Sequence, residues 1–312
     1  MPMSASVPSL GEIPVVAVVG ATAAGKSGLS LDLAERLGGE VVNTDAMQVY
    51  RGMDIGTAKV PVDERRNITH HLLDFLEIDQ IATVADFQRL ARDTITDLRS
   101  RGAVPVLVGG SALYTRAVLD RFDFPGTDPD VRRELEAALE AGGSGVMHQR
   151  LKELDPQAAQ GIHPSNGRRI VRALEVITLT GQAYSASLPR LVYSVDNAHQ
   201  IGVDIDRDTL DDRISQRVEK MFDDGFVDEV ARLLDRGLAD AVTASRAIGY
   251  PDVMAHLAGE LTLEQTKERT KTATRRFARK QDGWFRKDPR ITWLPWDAPD
   301  LVESALAVLP QA

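Results

Sequence analysis

The chain has 312 residues, 43% of them hydrophobic and 27% charged, which is typical of a folded protein with a core domain and room for a second one. The absence of cysteine excludes disulfides, thiolate metal sites and thiol nucleophiles. The net charge of −9 excludes a uniformly basic nucleic-acid-binding surface, so any polyanion partner requires a local basic cluster.

The N-terminal residues 1–12 are small and polar and predict a flexible tail. No basic residue precedes the apolar run at 13–19, and this run is far too short to cross a bilayer. We therefore expect a cytoplasmic protein that does not contact a membrane.

The first half of the chain alternates strands with helices. Strands are predicted at 15–19, 41–42 and 104–108, and helices at 27–37 and 86–99. This alternation predicts an α/β fold with a parallel sheet, here of the P-loop NTPase-like kind, whose ligands bind beyond the carboxyl ends of the strands. Gly20, Asp45 and Gly109 all follow predicted strands and are expected at that edge.

The second half begins with a mainly helical stretch, with helices predicted at 132–139, 149–154 and 168–179. A strand at 200–204, helices at 211–222, 227–234 and 263–285, and a last strand at 291–294 follow. We therefore predict a core formed by 13–126 and 200–312, with residues 127–199 as an inserted helical domain.

The segment between the first strand and the first helix matches the phosphate-binding P-loop pattern at every fixed position. Such a loop wraps phosphate oxygens with backbone N–H groups, while its Lys adds a charge and its Ser hydroxyl can ligate Mg²⁺. The alternative, a chance glycine turn, does not explain why the motif lies between a buried strand and a helix. The predicted phosphate-binding residues are Gly20, Ala21, Thr22, Ala23, Ala24, Gly25, Lys26 and Ser27, and the predicted metal ligand is Ser27.

Two further features concern the reaction. Nucleotide-hydrolysing P-loop proteins usually have a second strand that ends in a metal-binding Asp, whereas the strand at 104–108 ends in Gly-Gly-Ser. This favours a small-molecule kinase or another group-transfer enzyme. Asp45 follows the second strand and could take a proton from a nucleophile, although a turn or helix-cap Asp is equally compatible with its position.

Basic residues are concentrated in two places. Residues 267–290 contain ten Lys or Arg and three acidic residues, a net charge of +7, so we expect few of these cations to be paired. Arg168, Arg169 and Arg172 form a second cluster in the inserted domain. Both clusters favour an RNA or other polyanion partner over solvated helix faces. Trp284 and Phe285, beside the first cluster, could stack on bases or pack in the core, and we expect core packing.

With these residues in view, the chain resembles the tRNA dimethylallyltransferases, also called tRNA isopentenyltransferases, in their bacterial form. The resemblance extends over nearly the whole chain, and the 15-residue block after the second strand is its most specific part. The matching blocks are residues 20–27, 45–59, 70–74, 107–114, 162–176, 246–250 and 280–286.

The resemblance implies transfer of a dimethylallyl group from dimethylallyl diphosphate to N6 of adenosine 37 in tRNA, with Mg²⁺ as cofactor and diphosphate as product. It implies that Asp45, Lys26, Ser111 and Arg246 are catalytic, with Asp45 as the base. It also implies contacts between the anticodon stem-loop and Asp45, Ala46, Met47, Gln48, Ser111, Arg132, Arg168, Arg169, Arg172, Arg279, Lys280, Gln281 and Arg286. The protein is expected to act as a monomer.

The chain departs from the family pattern at three positions, with Ala21, Ala46 and Ser111 where Pro, Ser and Thr are usual. Ser111 keeps the hydroxyl group, whereas Ala46 cannot donate a side-chain hydrogen bond. Two other hypotheses stay open from the residues themselves: a P-loop kinase of a nucleoside or small metabolite, and a non-catalytic RNA-binding protein that keeps a vestigial phosphate loop.

Overall fold

The computed structural model describes residues 13–122, 124–184 and 191–310, so the predicted tail at 1–12 lies outside the described residues. The chain forms two compact units. The first contains the residues up to Leu119 and from Tyr193 onward, and the second is Asp120–Val192.

The first unit is built on one six-stranded sheet in which every described pairing is parallel. The strands are β1 (Val15–Val19), β2 (Gly39–Asn43), β3 (His70–His71), β4 (Val104–Val108), β5 (Ala198–Asp204) and β6 (Ile291–Pro295). They lie in the order β3-β2-β4-β1-β5-β6, with β1 and β4 at the centre. The predicted parallel α/β fold is therefore confirmed, and its carboxyl edge is where ligands are expected.

Side chains of β1 alternate between two cores because successive residues of a strand face opposite sides of a sheet. Val15 and Val19 pack with Phe87 and Ile214 on one face, whereas Val16 and Val18 belong to a second core on the other. All five residues of β1 are buried, which explains why this strand is a nearly continuous run of valine. The helices of this unit are α1 (Lys26–Leu37), α2 (Val84–Ser100), α3 (Ala112–Leu119), α7 (Arg207–Asp223), α8 (Phe226–Leu234), α9 (Tyr250–Leu257), α10 (Leu263–Phe285) and α11 (Leu301–Leu306).

The second unit is helical and has its own core. It consists of α4 (Pro129–Leu154), α5 (Pro156–Gly161) and α6 (Gly167–Thr180). The two helices predicted at 132–139 and 149–154 are parts of α4, which is interrupted at Gly143 by a backbone φ of 75°. Leu151 of α4 and Ile170 and Leu174 of α6 are at most 1% exposed. This apolar contact, together with Leu135 and Met147, holds the unit together.

The second unit begins and ends seven residues before the predicted range of 127–199. Backbone contacts explain the difference, since the amides of Ser194 and Val195 donate to the carbonyl of Leu119 at 2.7 and 3.2 Å. Val195 also packs in the core of the first unit. Among the described residues, no helix is both long and apolar enough to cross a bilayer.

Candidate active site

The main cavity lies at the carboxyl edge of the sheet, where three of the central strands end. It has a volume of about 690 Å³ including its open mouth. Its lining brings together the P-loop, the segment after β2, the end of β4 and two helices from the C-terminal half. The lining residues include Thr22, Lys26, Ser27, Asn43, Asp45, Gln48, Thr57, Ala58, Gly109, Gly110, Arg217, Phe277 and Gln281.

The P-loop leads into the N-terminus of α1 through a glycine in a left-handed conformation. Gly25, the residue before α1, has φ 106° and ψ 7°, a left-handed conformation that suits glycine. The first turn of α1 carries no acidic residue, so its unpaired N–H groups are available to an anion. The Lys26 ammonium donates to the carbonyl of Ala21 at 2.6 Å. The side chain of Lys26 is thus folded back over the loop, and phosphate binding by the loop stays a prediction.

Gln281 of α10 links the P-loop to the end of β4. Its side-chain oxygen accepts from the backbone N–H of Thr22 at 2.8 Å, and its side-chain amide donates to the carbonyl of Gly110, also at 2.8 Å. The residue is only 5% exposed. The sequence predicts that Gln281 contacts RNA, whereas in the structure both the oxygen and the nitrogen of its side-chain amide form hydrogen bonds within the protein.

Two arginines of α7 approach the P-loop, and sequence reasoning did not identify them. Arg217 lines the cavity and donates to the Thr22 hydroxyl at 3.2 Å. Arg213, one turn earlier, points at the carbonyl of Ala23 at 3.5 Å and stacks on Trp296. Their four-residue spacing within the predicted helix at 211–222 was the available signal, because it places both on one helix face.

Asp45 is held at the cavity by the segment that follows β2. Its Oδ1 accepts from the N–H of Met47 at 2.8 Å, and its own N–H donates to Oδ1 of Asn43 at 2.8 Å. Asn43 is 2% exposed and also donates to the carbonyl of Leu72, which fixes the turn. The Asp45 carboxylate is therefore oriented by backbone contacts and keeps acceptor capacity towards the cavity.

Burial and neighbouring charges shift the pKa values of Lys26 and Asp45 in the cavity. The pKa of Lys26 is lowered to about 7, mainly by burial and secondly by the nearby Arg217, while Asp45 opposes the shift. Burial raises the pKa of Asp45, and the Met47 amide and Lys26 act in the opposite direction. Strongly perturbed groups in a cleft are typical of functional sites.

Other predicted catalytic residues lie elsewhere in the first unit. Ser111 is half-buried, and its hydroxyl accepts from the N–H of Tyr114 at 3.4 Å at the start of α3. Arg246 is exposed in a 3-10 helix at Ala244–Arg246. Neither is among the described residues that line the cavity. Their catalytic roles stay predictions.

The prediction that the basic run at 267–290 has few acidic partners is wrong. The run supplies only three acidic residues, but neighbouring elements supply others: Glu219 of α7 pairs with Lys267 and Lys271 at 2.7 and 2.6 Å. Arg286 pairs with Asp204, and Arg279 lies 3.7 Å from Asp211. Arg279 and Arg286 line a second cavity of about 600 Å³ beside Ala21.

The two aromatic residues of this helix behave differently. Phe285 is buried, as predicted, whereas Trp284 is 52% exposed, so the prediction that it packs in the core is wrong. The ammonium of Lys287 lies over its ring, 5.2 Å from the centroid. An exposed ring with an adjacent cation suits contact with a nucleic acid.

The basic residues of the second unit divide into two kinds. Arg132 and Arg172 both pair with Glu175, which is fully buried, and Arg172 also donates to the carbonyls of Pro125 and Gly126. These two arginines therefore stabilise the unit. Arg168 and Arg169, in the first turn of α6, are exposed and free to meet a partner at the unit's surface.

Comparison with known proteins identifies the family. The model of the IPP transferase family matches residues 48–288. The chain is 63% identical over 302 residues to a tRNA dimethylallyltransferase of a Nocardioides species, covering 97% of both chains. It is 57% identical over 300 residues to one of Thermobifida fusca, covering 95% of this chain and 94% of the relative.

Solved structures agree with this result. The tRNA isopentenylpyrophosphate transferase of Bacillus halodurans is 42% identical with a TM-score of 0.68, covering 95% of this chain and 94% of that one. A eukaryotic dimethylallyltransferase acting on tRNA is 27% identical with a TM-score of 0.81, covering 95% of this chain and 78% of that one. These relatives favour the prenyl transferase over the kinase alternative. The chain belongs to the IPP transferase family of tRNA dimethylallyltransferases.

Proposed function

We propose that this enzyme transfers the dimethylallyl group of dimethylallyl diphosphate to N6 of adenosine 37 in tRNA. The observation that carries the proposal is that the P-loop, with Lys26, and the carboxylate of Asp45 line one cavity. A diphosphate held by the loop would present its allylic carbon beside a base. Family membership supplies the donor and the acceptor atom.

The transfer breaks the bond between the allylic carbon and the diphosphate oxygen and forms a bond from that carbon to N6. The lone pair of an adenine amine is delocalised into the ring, so the amine attacks well only when a base removes its proton. Asp45 accepts that proton, and such assistance is typically worth about 10²- to 10⁴-fold in rate. The released diphosphate carries away the bonding electrons.

Negative charge accumulates on the leaving diphosphate as the allylic carbon becomes cation-like. The P-loop amides, Lys26 and Arg217 are positioned to stabilise this charge more strongly in the transition state than in the ground state. Arg217 lines the cavity and is added to the residues predicted from the sequence, and the catalytic role of Arg246 stays a prediction beside it.

We propose Mg²⁺ as the cofactor, with Ser27 as a ligand. The Ser27 hydroxyl and the Asp45 carboxylate line the same cavity, and oxygen ligands of this kind combined with phosphate oxygens suit Mg²⁺. Bound Mg²⁺ would neutralise charge on the diphosphate.

The tRNA part of the proposal rests on exposed cations. Arg168 and Arg169 on the second unit, and Arg276 and Lys280 on α10, are exposed. A target amine within a stacked loop is inaccessible, so the base must be flipped out of the stack. The protein must bind the anticodon stem-loop during this step.

The direct test incubates the protein with labelled dimethylallyl diphosphate, Mg²⁺ and unmodified tRNA, with ATP in a parallel reaction. Label transferred to the RNA at position 37 supports the proposal. Phosphoryl transfer from ATP to a small molecule, without label in the RNA, would overturn it in favour of a kinase.

A further inference from the structure

Glu229 of α8 is a buried carboxylate that binds the loop at residues 54–56, next to the wall of the main cavity. It is 2% exposed. One side-chain oxygen accepts from the N–H groups of Asp54 and Ile55 at 2.8 and 2.7 Å. The other accepts from the N–H of Gly56 at 3.1 Å and from the Tyr250 hydroxyl at 2.7 Å. Three successive backbone amides thus converge on one carboxylate, an arrangement known as an anion nest.

The loop held by Glu229 continues directly into the wall of the main cavity. Thr57 and Ala58 line that cavity, and their carbonyls accept from the side-chain amide of Gln48 at 3.0 and 3.4 Å. Gln48 also lines the cavity and is three residues from Asp45. A chain of hydrogen bonds and backbone therefore leads from Glu229 to the segment that carries Asp45.

Close packing leaves this loop little freedom to adopt another position. A Cβ at Gly56 would lie 2.6 Å from Cε2 of Tyr250 and would overlap the ring of Phe226. The rings of Phe226 and Tyr250 pack edge to face, with centroids 5.0 Å apart. Aromatic packing thus brings the loop up to α8, and the carboxylate aligns its three amides.

We infer that Glu229 is a positioning residue for the transfer reaction, fixing the cavity wall at residues 54–58 so that Gln48 and Asp45 meet the accepting base correctly. The inference rests on the proposed function, but it concerns a residue outside the lining of the main cavity. Donor binding depends on the P-loop, which contains none of the hydrogen-bond partners of Glu229 described above, and does not require Glu229.

The test compares the full-length Glu229→Gln variant with the wild type, using labelled donor and tRNA. We expect kcat/KM for tRNA to fall about 10- to 100-fold, because small displacements of positioning groups are costly. The Kd for diphosphate, measured by calorimetry, should stay within about twofold since the P-loop is intact. An unchanged kcat/KM for tRNA would overturn the inference. Failure of the wild type to transfer label would instead contradict the proposed function.

Asp288→Asn is the matched control, since Asp288 is a buried carboxylate of the same unit that bonds Gln200 and Arg290 outside the cavity lining. We expect it to lower the melting temperature without changing kcat/KM. If both variants lose kcat/KM in proportion to lost stability, Glu229 is merely structural and the inference fails.

Two further variants cover the case in which Glu229→Gln does not fold. Glu229→Asp keeps the charge but shortens the side chain, and an unchanged kcat/KM there would also overturn the inference. Gln48→Ala, alone and combined with Glu229→Asp, tests whether Glu229 acts through Gln48. We expect the double variant to lose less kcat/KM than the product of the two single losses, as for groups that act through one chain of contacts. A loss equal to that product would show that Glu229 does not act through Gln48.

Discussion

The carboxylate of Asp45 is half-buried beside Lys26, and this position affects both reactivity and stability. Burial raises its pKa, so the folded protein binds a proton more tightly than the unfolded chain does. Ionised Asp45 therefore destabilises the fold at pH values above the folded pKa, and this penalty disappears below the unfolded value of about 3.9. The same ionised form is the base that the reaction needs.

Asp45→Asn should therefore separate catalysis from stability. We expect turnover to fall by about 10²- to 10⁴-fold, because the amide cannot take a proton. The free energy of unfolding at pH 7 should rise, since the buried charge is gone. Denaturant unfolding at pH 7, compared with single-turnover transfer, measures both. Unchanged turnover would exclude Asp45 as the base, and a loss of stability would contradict the buried-charge argument.

We expect Lys26 to take up a proton when the donor binds. Its pKa of about 7 means that a large fraction of the free protein carries a neutral amine near pH 7. A bound diphosphate favours the ammonium and raises this pKa, so binding should take up a proton, and affinity should fall as pH rises above about 7.

Calorimetry in two buffers of different ionisation enthalpy, at about pH 8, measures this uptake. Lys26→Arg is the control because guanidinium stays charged throughout, so only the titration of diphosphate itself contributes in that variant. Equal proton uptake in the wild type and in Lys26→Arg would show that Lys26 is already protonated in the free protein.

At the scale of single elements, α10 has two kinds of cation. Lys267 and Lys271 have side chains 14% and 12% exposed and are both paired with Glu219. Arg276 and Lys280 are exposed, and the structure shows no ion pair for either among the described residues. Arg276 and Lys280 can therefore neutralise RNA phosphates without first breaking an ion pair in the protein.

We expect Arg276→Ala with Lys280→Ala to weaken tRNA binding and to lower the slope of log K against log salt by about 1 to 2. Lys267→Ala with Lys271→Ala is the matched control, with the same change in charge and a smaller expected effect on that slope. Filter binding at several salt concentrations distinguishes the pairs. Equal slopes for the two variants would mean that pairing within the protein does not decide which cations meet RNA.

The sequence predicts the regular elements of the core well, because buried strands and amphipathic helices leave periodic patterns. The strand at 15–19 and the helix at 263–285 have the predicted limits. The two-residue strand β3 and the short helices α3, α5, α9 and α11 were not predicted. Elements this short span about two helical turns or fewer, too few for a periodic pattern to stand out, and tertiary contacts determine their conformation.

For the site, sequence patterns predict the groups near the P-loop but not the partners that come from distant parts of the chain. Lys26 and Asp45 follow strands whose ends meet at one edge of the sheet, so their proximity is predictable. Arg217 and Glu229 are ordinary charged residues on helices, and only the packing of α7 and α8 gives them a role. The same is true of Glu219, which pairs with cations of another helix.

At the scale of the whole molecule, the second unit leaves the first at Leu119 and returns at Tyr193, and these points are adjacent because Ser194 donates to Leu119 at 2.7 Å. Residues 120–192 can therefore be replaced by a short Gly/Ser linker without stretching the core. We expect the shortened protein to fold, bind diphosphate as the full chain does, and lose transfer to tRNA.

Circular dichroism, calorimetry with diphosphate and the labelled-donor reaction measure these three outcomes. Retained transfer at the wild-type rate would show that the second unit is not needed to grip RNA. A shortened chain that does not fold would show that the core depends on the insertion.

The bond between Thr22 and Gln281 joins residues 259 positions apart, and it has a consequence for synthesis. The ribosome makes the chain in the N- to C-terminal direction at roughly 5 to 20 residues per second. The P-loop is therefore synthesised long before Gln281, its hydrogen-bond partner. The strand β5, which pairs with β1, and Gln281 of α10, which bonds the P-loop, both come from residue 198 onward. A nascent chain therefore has no finished donor site, and the enzyme gains the means to act on tRNA only once its own translation is nearly complete.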